Sequence, residues 1–173
     1  LTLGLALGGM DGLCSLVPAV PQLSLHSPVG DLTISEEQGA LVALDWGWGR
    51  DQTPTPLLRE VRQRIQSYFD GQMVDFDDLP IHPLGTAYRQ RVWAALRRIP
   101  RGETRTYLAL ARDVGGSPRS VGQANRANPI PIIVPCHRVV AVGGLGGYSG
   151  EGGLAAKRHL LALEGAAGWE RAA

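Results

Sequence analysis

Three prolines, Pro129, Pro131 and Pro135, punctuate the residues that lead into Cys136-His137-Arg138, and they limit what this part of the chain can become. Proline has no N–H to give a sheet ladder and locks its own φ, so this is not an ordinary central strand. The residues between the prolines, Ile130, Ile132, Ile133 and Val134, are apolar. A stiff, extended, apolar approach therefore ends at a cysteine followed by a histidine and an arginine. Buried cysteines are commonly inert, because apolar surroundings raise the thiol pKa. Here both following residues favour a thiolate, and the sulfur is expected to be held as a ready anion.

A histidine that serves as a base needs an orienting acid. After the cysteine the acids are Glu151, Glu164 and Glu170. Glu164 closes an expected helix over 154–163, where the macrodipole disfavours an anion unless it has a specific partner. It is the best candidate. Neighbouring side chains on a helix point about 100° apart, so His137 is expected to reach Cys136 through a water or a bend. A Cys-His-Glu relay fits a thiol hydrolase and equally fits a one-time alkyl acceptor, and spacing does not separate them.

Charge divides the chain of 173 residues. Residues 1–83 carry 4 Lys and Arg against 11 Asp and Glu, whereas residues 84–173 carry 13 against 5. This suggests two units, of which the second meets a polyanion. With 44% apolar and 19% charged residues the chain has enough apolar material for a core. It has no apolar run of membrane-spanning length, and two cysteines are too few for a disulfide scaffold. Residues 1–21 have no clear period, and no Lys or Arg precedes Arg50, unlike a secretory leader. They are expected to form a poorly ordered extension. No targeting signal is evident, so a cytoplasmic, nucleoid-associated location is expected.

Alternation at Leu23/Leu25 and Leu32/Ile34, with the buried run Ala40–Trp46, predicts an antiparallel meander. Leu57, Leu58, Val61, Ile65, Tyr68 and Phe69 share one helical face. Residues 75–85 read as a linker, giving units at 22–83 and 84–169. In the second, a helix through Tyr88, Val92, Trp93 and Leu96 precedes a short helix near 106–114 with Leu108, Ala111 and Val114 inward. Gly115-Gly116-Ser117 then breaks the chain before a helix from Pro118. Such a pair matches a helix-turn-helix and also occurs in ordinary bundles. Ser120, Gly122 and Ala124 are small, which lets a backbone approach a surface closely, and Arg119 and Arg126 flank them. The seven glycines of residues 143–153 form a loop that either folds over a ligand or connects passively. They make neither a dinucleotide fingerprint nor a P-loop.

Asn128-Pro129, Pro135-Cys136-His137-Arg138-Val139, Gly147-Tyr148-Ser149-Gly150 and Leu163-Glu164-Gly165 resemble the O6-alkylguanine-DNA alkyltransferases, the methylated-DNA–protein-cysteine methyltransferase family. The similarity covers about residues 22–169 and is densest over 86–165. The resemblance implies an α+β chain, with a small ribonuclease-H-like antiparallel sheet and helix followed by a mostly α-helical unit carrying the helix-turn-helix. It implies DNA repair by irreversible, single-turnover transfer of the alkyl group from O6-alkylguanine, and from O4-alkylthymine, to Cys136. The helix-turn-helix would enter the minor groove and flip the lesion out of the stack. By position, Cys136 resembles the alkyl acceptor, His137 its base, Glu164 the orienting acid and Asn128 the brace of the active-site turn. Tyr107 resembles the group that assists flipping and protonates guanine, and Arg119 the group that fills the gap. Ser120, Gly122, Ala124 and Arg126 would share the DNA contact. Pro131, Val139, Tyr148, Ser149, Gly150 and Lys157 would surround the base.

The partner implied is double-stranded DNA carrying O6-alkylguanine, met by a monomer. A thioether has no easy leaving path, so the chemistry asks for no cofactor or metal. Some members hold zinc through two cysteines and two histidines in the first unit. Here only Cys14, His26 and His82 stand there, so no zinc is expected, nor any function for Cys14. Glu151-Gly152 reads as an insertion into the glycine loop and bears on the width of the pocket. Two other readings compete: a protein that binds alkylated bases without reacting, whose relatives lack the cysteine, and a cysteine hydrolase.

Overall fold

The computed structural model describes residues 20–169. Residues 1–19, with Cys14, lie outside the described residues. Pro21 already belongs to the fold, since its carbonyl accepts from the Glu36 N–H at 3.1 Å.

β1 (Gln22–Leu25), β2 (Leu32–Glu37) and β3 (Ala40–Trp46) form the expected meander, in the order β1-β2-β3 and antiparallel throughout. Leu23, Leu25, Leu32 and Ile34 bury their side chains against α1 (Pro56–Phe69). In β3 the register slips: Ser35 pairs with Ala43 but Glu36 pairs with Leu41, leaving Val42 as an extra residue. This bulge lets Leu41 and Leu44, three positions apart, both be buried, which strict alternation forbids. The opposite face is polar but also covered. Ser24, Thr33 and Ser35 are buried, and the Gly49 N–H donates to the hydroxyls of both Ser24 and Thr33.

The face of α1 falls as the spacing predicts, with Leu58, Val61, Ile65 and Tyr68 buried and Leu57 and Phe69 at the margin. Thr55 caps its N-terminus by accepting from the Leu58 N–H.

Residues 75–85 are a packed strap rather than a loose linker. Phe76 and Leu79 are buried. Leu41 donates its N–H to the Pro80 carbonyl, and the His82 N–H returns to the Leu41 carbonyl. The β3 edge is covered again by the second unit, for the Leu44 N–H donates to the Pro129 carbonyl at 2.8 Å. Both contacts protect an edge that would otherwise be open to pairing with another chain.

The second unit comprises α2 (Ala87–Arg97), β4 (Arg105–Thr106), α3 (Tyr107–Val114), α4 (Pro118–Arg126), a 3₁₀ turn (Cys136–Arg138), β5 (Val139–Val140) and α5 (Gly153–Leu163). β4 and β5 pair in parallel. α3 and α4 pack as a helix-turn-helix. Its turn depends on Gly116, whose φ is +118° and where a Cβ would lie 2.6 Å from the Tyr88 hydroxyl. Ser117 and Ser120 cap α4 reciprocally. In α3 the inward residues are Leu110 and Ala111, whereas Leu108 is exposed. The expected inward position of Leu108 is thus corrected.

One apolar core runs through both units, from Leu23 to Leu160. Trp93 ties α2 to the helix-turn-helix inside it, its indole N–H donating to the Ala124 carbonyl at 2.9 Å. Trp93→Phe strands that buried carbonyl and part-empties a ring site. It should lower the unfolding free energy by about 2–4 kcal/mol. Urea denaturation would show this as an earlier midpoint with an unchanged slope.

Candidate active site

The proline-rich approach is held by Asn128. Its amide donates from Nδ2 to the Val134 carbonyl at 2.8 Å, and its Oδ1 accepts the Ile130 N–H at 3.1 Å. Between these anchors Ile132 has φ +72°, a left-handed conformation that a β-branched residue adopts only under constraint. The turn this creates delivers Cys136 to the first position of the 3₁₀ helix, 5% exposed, on the wall of a cleft of about 770 Å³.

His137 is fully buried behind it. Its Nε2 lies 2.8 Å from Glu164 Oε1, and its Nδ1 has no partner among the described residues. With Glu164 as a carboxylate, Nε2 carries the hydrogen and Nδ1 is left as the free base. Glu164 also accepts from the Tyr68 hydroxyl at 2.8 Å and from Arg138 Nε and Nη2 at 2.8 and 3.0 Å. Burial alone would push this carboxyl up, but the hydrogen bonds from His137 and Arg138 and the Arg138 charge overcome it and hold it well below the usual carboxylate range. Burial pushes His137 down, partly offset by Glu164, so the imidazole is neutral near pH 7.

The thiol does not rest as an anion. Burial pushes Cys136 up, only partly countered by the Asn128 amide and the Lys157 charge. Arg138, the expected helper, sends its guanidinium to Glu164 and the Ile99 carbonyl instead. The geometry stores a neutral thiol near a neutral base. A proton must leave the sulfur when the reaction begins.

The cleft brings together Cys136, Tyr107, Tyr148 and Ser149 with Gly122 and Arg126 of α4. Burial pushes both tyrosines up, so each keeps its phenolic hydrogen. Tyr107 OH points at the Gly147 carbonyl, 3.3 Å away. Lys157 lies beneath the floor rather than in it. Its ammonium donates to the carbonyls of Val139 (2.6 Å), Leu145 (2.6 Å) and Gly147 (3.1 Å), and burial pulls its pKa down to about 8. It sits 5.9 Å from the centre of the Tyr107 ring.

Several expected residues stand elsewhere. Ala124 is 1% exposed and faces the core, because the i, i+3, i+4 stripe of α4 buries Val121, Ala124 and Asn125. Its side chain is therefore unavailable to a surface partner. The Ser120 hydroxyl accepts the Ser117 N–H in the cap and pairs with the Tyr88 hydroxyl. Pro131 and Val139 are buried and do not line the cleft. Gly150 backs the wall, where a Cβ would meet Tyr148 at 2.5 Å and Trp46 at 2.7 Å. Arg119 is exposed on α4, outside the cleft.

Sequence reasoning missed Tyr68, Asn125, Leu108, Val142 and Trp46. For Tyr68 a signal existed: a tyrosine on a buried helical stripe needs a partner for its hydroxyl. For Asn125 the signal was a polar residue four positions after Val121 on the same stripe.

Comparison with known proteins covers both units. Residues 23–83 match the family model of the 6-O-methylguanine DNA methyltransferase ribonuclease-like domain, and residues 87–166 match its DNA binding domain. The methylated-DNA–protein-cysteine methyltransferase of Metallosphaera sedula is 42% identical over 141 residues, covering 80% of this chain and 89% of the relative. The constitutive protein of that name from Bacillus subtilis is 42% identical over 139 residues, covering 72% and 84%. Among solved structures, Mycobacterium tuberculosis OGT in complex with DNA aligns with a TM-score of 0.74 at 39% identity, covering 84% of this chain and 93% of that one.

The depressed Glu164 carboxyl makes a pH prediction. A group whose folded pKa lies below its unfolded value, 4.5 for Glu, adds stability that is complete above that value and lost as pH falls toward the folded one. Glu164→Gln should unfold earlier in urea at pH 7 and lose less further stability than the parent between about pH 5 and pH 3. Equal acid sensitivity in both proteins would show that this carboxylate is not an acid-sensitive element.

Proposed function

The chain belongs to the 6-O-methylguanine DNA methyltransferase family, and on that premise we propose that it repairs DNA by moving the alkyl group of O6-alkylguanine irreversibly to Cys136. The observation that carries this reading is the buried Cys136 on the wall of an open cleft, next in sequence to a histidine whose Nε2 is held by Glu164 and whose Nδ1 is unpaired.

In the proposed reaction His137 Nδ1 takes the thiol proton, through a water, while Nε2–H holds to the Glu164 carboxylate. The charge that develops on the imidazole is met by an anion already in place. The sulfur attacks the alkyl carbon in line as the C–O6 bond breaks, and that electron pair leaves with guanine. Tyr107, protonated and at the cleft, gives its hydrogen to the leaving base and regains one from solvent. The products are a cysteine thioether and an unmodified guanine. The thioether is a poor leaving group, so each chain acts once.

The excess of Lys and Arg in residues 84–173 fits a search along the phosphate backbone of duplex DNA. Arg119, exposed on α4, is assigned to the space a flipped base vacates, and Gly122 and Arg126 to the strand beside the cleft. We place the chain at the chromosome, acting as a monomer. Among the described residues no helix is long and apolar enough to cross a membrane. O4-alkylthymine is a second proposed substrate.

Incubation with a duplex bearing O6-methylguanine, followed by intact mass and peptide mapping, should find one methyl per chain, on Cys136. Cys136→Ala should abolish transfer yet keep DNA affinity. Tight binding without modification would favour a recognition protein, and multiple-turnover ester cleavage a hydrolase. Arg119→Ala should slow repair in duplex more than transfer from the free base. Equal losses would remove its assignment to the vacated space.

A further inference from the structure

The thiol, the base and the carboxylate of the proposed proton transfer all belong to the second unit, yet one donor to that carboxylate comes from the first. Tyr68 of α1 is 1% exposed and gives its hydroxyl hydrogen to Glu164 Oε1 at 2.8 Å. The same oxygen accepts from His137 Nε2 at 2.8 Å and from Arg138 Nη2 at 3.0 Å, whereas Oε2 accepts from Arg138 Nε. A carboxylate oxygen offers about two lone-pair sites, so the donors on Oε1 compete for it. Burial, and then the Glu164 charge, push the Tyr68 phenol up, so it keeps its hydrogen and acts as a standing donor. The ring is held apart from the hydroxyl, edge-on to Phe69 at 5.3 Å, tilted to Phe76 at 5.9 Å and beneath the Arg101 guanidinium at 5.1 Å.

We propose that Tyr68 is a positioning residue for alkyl transfer: from the first unit its hydroxyl turns Glu164 Oε1 toward His137 Nε2 and limits how tightly the carboxylate holds a charge on the imidazole. This rests on the alkyltransferase reading and gives the first unit a part in the timing of the thiol proton. A carboxylate drained by a competing donor stabilises an imidazolium less, so the base stays neutral until the sulfur reacts. The other groups whose charge reaches this pair are Cys136 and Arg138 of the 3₁₀ turn, Lys157 of α5 and Arg101 after α2. Tyr68→Phe keeps all of them, and the ring, and removes only one donor from Oε1. The imidazole must then become more basic.

The test follows two quantities in the full chain: the titration of the His137 imidazole by nitrogen NMR, and the pH dependence of single-turnover methyl transfer from a duplex bearing O6-methylguanine. A base works deprotonated, so a more basic His137 loses its activity at a higher pH as acid is added. Tyr68→Phe should move the His137 midpoint and the acid limb of the transfer rate together to higher pH, by about one pH unit or tenfold in proton affinity. A tyrosine that merely fills its site would cost stability and leave both where they are, and that result overturns the proposal. A moved midpoint with an unmoved limb overturns it as well. If Y68F does not fold, Tyr68→3-fluorotyrosine keeps the ring and donates more strongly. Both quantities must then move to lower pH, and any other direction overturns the proposal. A parent that transfers no methyl refutes the alkyltransferase reading itself, a result on which the NMR midpoint does not depend.

Discussion

The Glu164 carboxylate is the interaction on which this structure turns. It is buried and accepts from three side chains: Tyr68 of α1, His137 of the 3₁₀ turn and Arg138 beside it. Taking a carboxylate out of water is expensive, and only several donors at hydrogen-bond distance make it tolerable. Those donors come from both units of the chain. The same carboxylate therefore holds the two units together, fixes the tautomer of His137 and leaves Nδ1 free. Arg101 reinforces the junction, with its guanidinium over the Tyr68 ring at 5.1 Å and a hydrogen bond to the Leu163 carbonyl.

Reactivity is held in reserve. Burial raises the thiol and lowers the imidazole, so both are neutral at rest. An exposed thiolate would be open to oxidation and to adventitious alkylation. In the proposed reaction the thiol gives up its proton as the sulfur meets the alkyl carbon. The constrained backbone at Ile132 and the Asn128 brace keep that sulfur against the cleft. Expecting a standing anion from His137 and Arg138 failed because sequence adjacency does not report where a guanidinium points.

Much of the fold was legible beforehand. Period-two alternation located β1 and β2, and the apolar stripe of α1 was read residue by residue. Prolines and glycines bounded the helices of the second unit. The β3 bulge and the strap at residues 75–85 were not legible, because both arise from long-range pairing. The pairing of His137 with Glu164 followed from local order and one charge argument, whereas no direct contact joins the Cys136 thiol to the imidazole. What escaped were residues whose role depends on which face of a helix turns inward, as at Leu108, Ala124 and Asn125.

Trp46, at the end of β3, packs edge-on against Tyr148 of the cleft wall, with Gly150 closing the gap between them. The acidic first unit is thus a buttress for a wall that the second unit carries. Shuffling halves between homologues would join a nucleophile and base of one lineage to a strut of another. Compatibility between the two segments, and not the chemistry of the sulfur, would then decide which adducts a hybrid accommodates.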